Sequence, residues 1–95
     1  MSKENFDWYL DIIKDTLTER GAKYNDAFHK TWEEWGLDVT RIQLTIKLCR
    51  LKNLEYNRNN CDTIRDTLID IAGYCILSLI EIDIDKRENI SVAKV

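Results

Sequence analysis

The 95-residue chain is long enough for one compact domain and short for two, because domains usually run from roughly 50 to 200 residues. With 44% hydrophobic and 33% charged residues it has a globular composition, which argues against a disordered or fibrous chain. Its 17 acidic residues against 14 basic ones give a net charge of −3, which argues against nucleic acid and anionic membranes as partners, since both select a basic excess.

Proline is absent and glycine occurs three times, so little is available to punctuate the many turns of a β-sandwich or barrel. A small all-α bundle of about four helices is expected, with residues 1–85 forming a single helical domain and 86–95 a C-terminal tail. The opening MSKENFDWYL lacks a basic segment followed by an apolar one. No apolar run approaches the roughly 18 residues of a membrane span, so a cytoplasmic location is expected. Cys49, Cys61 and Cys75 form no CxxC and the chain has one His, so neither a disulfide framework nor a zinc site is supported.

In chain order, Phe6, Leu10, Ile13 and Leu17 recur at steps of four, three and four, which predicts an amphipathic helix over about 3–20. Gly21 stands where a C-terminal cap belongs. Asn25 or Asp26 can cap a short second helix that Gly36 ends, and its Phe28, Trp32 and Trp35 read as a core stripe or as a surface for stacking on a ligand. Asp38 is placed to cap a third helix with the stripe Ile42, Ile46 and Cys49, flanked by Leu44, Leu48 and Leu51. After the polar connector NLEYNRNNC, Asp62 or Thr63 opens the longest pattern, in which Ile64, Leu68, Ile71, Cys75, Leu79 and Ile82 hold helical spacing. A second line, Ile69, Ala72, Ile76 and Ile80, lies beside it. So wide an apolar surface on one helix predicts self-association. The end is open to two readings: IEIDID alternates at period two and can pair with ISVAKV as a hairpin, or the helix frays into a charged tail after about residue 85.

The candidate chemistry lies on that last helix. Asp62, Asp66 and Asp70 are spaced by four and share one face, so Asp66 and Asp70 can share a hydrated divalent cation or bracket a ligand. Asp62 also serves as a cap, and Asp66 suits a first turn through the helix dipole. Asp70, between Ile69 and Ile71, needs a cation, a basic partner or water. Lys47 and Arg50 on the preceding helix can face Asp66 and Asp70, either as an ion pair or as a phosphate grip with the acids on Mg²⁺ or a ribose hydroxyl. There is no Gly-rich phosphate loop and no HExxH, and His29 has no nucleophile arrangement around it.

These motifs, in order, resemble a phage and bacterial family, the nucleotide modification associated domain type 1, itself similar to the all-helical MazG-like nucleotide pyrophosphatases. The resemblance runs from about residue 20 to 82. It rests on RGAKYNDAFHKTWEEWG, on KLCRL and, most specifically, on DTIRDTLIDIAGY. It implies a helical bundle that dimerises or tetramerises around a nucleotide pocket, with Lys47, Arg50, Asp62, Asp66, Asp70 and Tyr74 at functional or signature positions. The chain departs from the family where an acid is replaced by Lys23, a glycine by Asn25 and a second acid by Ile46. The EExxE of MazG-like enzymes is also missing, since Glu33 and Glu34 are followed by Leu37 where a third acid belongs.

A site that keeps two acids while gaining Lys23 suits holding phosphate better than hydrolysing it. The expected function is therefore a phage-type nucleotide-binding protein that sequesters a nucleotide or a nucleotide-derived immune signal. It requires no cofactor, Mg²⁺ is optional through Asp66 and Asp70, and the assembly is a homo-oligomer. Lys23, Lys47 and Arg50 would contact phosphates, Tyr24 or a Trp would stack on a base, and Asp66 or Asp70 would accept ribose or base hydrogen bonds. Tyr74 completes the signature. One alternative is a Mg²⁺-dependent MazG-like nucleoside triphosphate pyrophosphatase using Asp62, Asp66 and Asp70 with Glu33 or Glu34. Another is a structural helical module in which these acids and bases form an ion network.

Overall fold

The computed structural model describes residues 3–88, without the side chains of residues 3, 4 and 22–24. Three helices account for most of it: α1 (Lys3–Trp35), α2 (Asp38–Asn53) and α3 (Cys61–Arg87). A kink at Gly21 divides α1 into two limbs, so four helical rods form a small all-α bundle with no strand among the described residues.

Gly21 has φ 74° and ψ −179°, a backbone region open essentially to glycine alone. It is thus a one-residue jog rather than the left-handed cap expected, and the helix resumes at once with Asn25 and Asp26 in its interior. Gly36, at φ 61°, does end α1, and its N–H donates to Trp32 O at 2.6 Å. Asp38 does not cap α2. It opens the helix behind Leu37 and pairs with Arg41 at 2.9 Å. In the connector, Asn57 Oδ1 accepts the Asn60 N–H at 3.0 Å and Asn60 Nδ2 donates to Glu55 O at 2.9 Å. Asn60 is the residue before α3, which starts one position earlier than expected.

The hairpin alternative is overturned for its first strand, because 81–87 is helical. Helical spacing turns Glu81, Ile82 and Asp85 toward α1, where Glu81 meets His29, Asp85 meets Trp32 and Ile82 packs on the core. The period-two reading of IEIDID cannot place all three there. The second half of the expected hairpin lies outside the described residues.

The core is small and sits between the second limb of α1, the start of α2 and the second half of α3. Phe28, Trp32, Val39 and Leu77 are buried, with Leu17, Leu37, Tyr74 and Ile82 packed against them. Phe28 stacks with Trp32 and packs on Tyr74, at ring separations of 6.3 and 6.1 Å. The aromatic stripe is therefore core at Phe28 and Trp32, while Trp35 is exposed. Paired residues give the directions: α2 runs antiparallel to α3, and α1 runs alongside it in the same sense.

The apolar stripes do not all face inward. Ile42, Ile46 and Cys49 of α2 and Leu68, Cys75 and Leu79 of α3 are exposed. Toward its own chain α3 instead turns Thr67, Gly73, Leu77, Ser78 and Glu81.

Candidate functional site

The most connected acid is Asp70. Its Oδ1 accepts from Arg20 Nη2 at 2.5 Å and its Oδ2 from Lys47 Nζ at 3.0 Å, so one carboxylate ties α3 to α1 and α2. All three side chains are 18–30% exposed, which places the triad at the protein boundary rather than in the core. Burial pushes the Asp70 carboxyl up, but the hydrogen bonds and charges of Lys47 and Arg20 outweigh it and hold the group below its usual 3.8. The expected Lys47–Asp70 pairing is present, and the partner that sequence reasoning missed is Arg20. Its only signal was a basic residue at the end of a helix just before a glycine.

A second polar set lies farther along α3. His29 Nδ1 is 2.7 Å from Glu81 Oε1 and Nε2 is 3.5 Å from Glu33. Glu81 is buried, and its hydrogen bond, reinforced by its charge and those of Glu33 and Glu88, raises the His29 pKa above 6.5 against the opposing effect of burial. Trp32 Nε1 donates to Asp85 at 2.9 Å. Ser78 gives its one proton to Tyr74 O at 2.7 Å, so at 2.6 Å Thr40 is the donor to Ser78 Oγ. The pairs His29–Glu81, Trp32–Asp85 and Thr40–Ser78 were not foreseen from sequence, because each joins residues 38 or more positions apart.

The remaining expected residues do not converge. Arg50, Asp62 and Asp66 are exposed, and Asp62 pairs with Arg65 at 3.5 Å. Tyr74 is half-buried against Phe28. The side chains of Lys23 and Tyr24 lie outside the described residues. A Mg²⁺ ion needs several oxygen ligands, usually including one or two carboxylates. Asp70 has a cation on each oxygen, and among the described residues no three His, Cys, Asp or Glu side chains lie close enough to hold a metal. Asp66 and Asp70 therefore do not fit a Mg²⁺ ion as they stand.

Concave surface occurs elsewhere. A groove of about 400 Å³ is lined by Tyr9 and Ile13 of α1, Tyr56 of the connector, and Cys61, Ile64, Arg65, Leu68 and Ile69 of α3. A second, of about 360 Å³, lies between Leu10, Ile13, Leu17 and Asn25 of α1 and Ile76 of α3. The Asn25 Oδ1 at its edge is buried and has no hydrogen-bond partner among the described residues. Neither groove is lined by Lys47, Arg50, Asp66, Asp70 or Tyr74. The first combines two aromatic faces, an apolar wall and a guanidinium beside the start of α3. That combination can stack a flat ring and hold an anion. No spacing signal marks it in the sequence, since Tyr9, Tyr56 and Arg65 come from three separate segments.

Residues 22–82 match the family described as nucleotide modification associated domain 1, a span that includes Lys47, Arg50, Asp66, Asp70 and Tyr74. No curated protein and no solved structure matches the chain. No helix among the described residues is long and apolar enough to cross a membrane.

Proposed function

The chain belongs to the nucleotide modification associated domain 1 family, and from that premise we propose that it binds a nucleotide or a nucleotide-derived signal and sequesters it without hydrolysis. The observation that carries this reading is the groove holding Tyr9, Tyr56 and Arg65. Its volume of about 400 Å³ lies in the roughly 300–1,000 Å³ range of small-molecule sites. A base stacks on the tyrosine faces, and a phosphate meets Arg65 and the N–H groups at the start of α3.

Lys47, Asp70 and Arg20 act in this reading as a brace. Pulling Lys47 or Arg20 onto a phosphate would strip a half-buried carboxylate of a partner, which is costly. Sequestration rather than turnover is supported by Asp70, which already has a cation on each oxygen and so offers no open ligand to Mg²⁺. In this reading the protein is a sponge of the phage type in a host cytoplasm, and its homo-oligomeric state is supported by the large apolar surface that one copy leaves open.

The test is a thermal-shift screen with linear and cyclic nucleotides, since a ligand of the native state raises Tm by mass action. At least one nucleotide should raise Tm, and R65A with Y56A should remove the shift. A shift that survives both substitutions would place the ligand elsewhere, and release of pyrophosphate from a triphosphate would make the protein an enzyme.

A further inference from the structure

α3 is inside out for a lone protomer. Its side facing α1 and α2 carries Thr67, Asp70, Ser78 and Glu81 around Gly73 and Leu77. The opposite side carries Leu68, Ala72, Cys75 and Leu79 at steps of four, three and four, with Leu68 51% and Leu79 61% exposed. Such a repeat is the seam of a two-helix pairing, and the small Ala72 and Cys75 at its middle allow close approach of a second helix.

We propose that this seam is where two copies of the chain join, α3 against α3, antiparallel, with the two-fold axis passing between Ala72 and Cys75. The proposal rests on the oligomeric part of the reading above and not on its ligand. Three observations select a second copy as the occupant. The seam is self-complementary, because reversing it sets Leu68 on the partner's Leu79 and Ala72 on the partner's Cys75.

The charges at its ends also match in that register. Asp62 comes beside the partner's Lys86, and both are exposed in the protomer. A parallel pairing would instead set each of these charges next to its own kind.

The flanks fit as well. The first limb of α1 lies beside the first half of α3, with Ile13 in the same groove as Ile69 and again in the same groove as Ile76. One turn further on that side Ile80 is 48% exposed. In the antiparallel pair the partner's first limb, with its exposed Phe6 and Leu10, comes to that open half. Phe6, Leu10, Leu68, Leu79 and Ile80 are each about half exposed. Together they offer on the order of 500 Å² of apolar surface per copy, more than half of the ~800 Å² that a stable interface takes from each partner.

The experiment is light scattering on the full chain, with circular dichroism to confirm helicity. The wild type should run as a dimer or a larger even assembly, and L68E/L79E should halve that mass without loss of helix, because both side chains are outside the protomer's core. As a second readout, A72C should give a disulfide-linked dimer on mild oxidation, with position 72 joined to Cys75 of the other copy. I42E/I46E on α2 should leave that cross-link in place. A wild-type monomer overturns both this interface and the oligomeric reading. An oligomer unaffected by L68E/L79E, with no cross-link from A72C, overturns this interface alone.

Discussion

Lys47 and Asp70, 23 residues apart on antiparallel helices, meet at 3.0 Å on a carboxylate whose other oxygen is held by Arg20. The sequence signature acid is thus a three-helix junction. Replacing it by Asn leaves two cations crowded around a neutral group. We expect Asp70→Asn to lower stability by about 1–3 kcal/mol in urea unfolding. An unchanged midpoint would mean that solvent screens the triad fully.

The same junction sets an acid limb. The Asp70 carboxyl is held below its unfolded value of 3.8, so its contribution is complete above that pH and is lost as pH falls through the folded value. The wild type should lose stability below about pH 4 more steeply than Asp70→Asn. Parallel curves for the two proteins would contradict this.

His29 gives the opposite slope. Its pKa is raised by Glu81, so the pair stabilises fully below 6.5 and the contribution disappears as pH climbs through the higher folded value. With His29 39% exposed the effect is small. Melting curves from pH 6 to 8 should show Tm falling in the wild type and a flatter profile in Glu81→Gln. A steeper profile in the variant would place the titration elsewhere.

Two glycines should respond in opposite directions. A Cβ on Gly73 would lie 3.4 Å from Leu17 Cδ2, an ordinary contact, so Gly73→Ala should stabilise α3 by about 0.5–1 kcal/mol. At Gly21 nothing lies within 4 Å, but φ is 74°, so Gly21→Ala should cost about 1–3 kcal/mol through backbone strain alone. Equal effects of the two substitutions in chemical denaturation would contradict the assigned conformations.

The helical spacing made the rods legible, and Gly36 and the Lys47–Asp70 pair were legible with them. Direction was not. Periodicity finds a stripe such as Leu68, Cys75 and Leu79 but cannot say which neighbour it faces, and here that stripe faces out. The continuity of α1 was hidden because a glycine reads alike as a stop or as a one-residue jog. The brace at Arg20 and the pairs on Glu81 and Asp85 depend on tertiary register, which no local spacing encodes. The groove of Tyr9, Tyr56 and Arg65 was missed for the same reason.

The central claim is binding without turnover, and the direct measurement is bind-and-release. The purified chain is incubated with linear and cyclic nucleotides, with and without Mg²⁺, freed of unbound material, denatured, and the released compound chromatographed. We expect one intact nucleotide in near-stoichiometric amount, retained without Mg²⁺ and lost in R65A. Recovery of monophosphate and pyrophosphate, or of no nucleotide at all, would contradict sequestration.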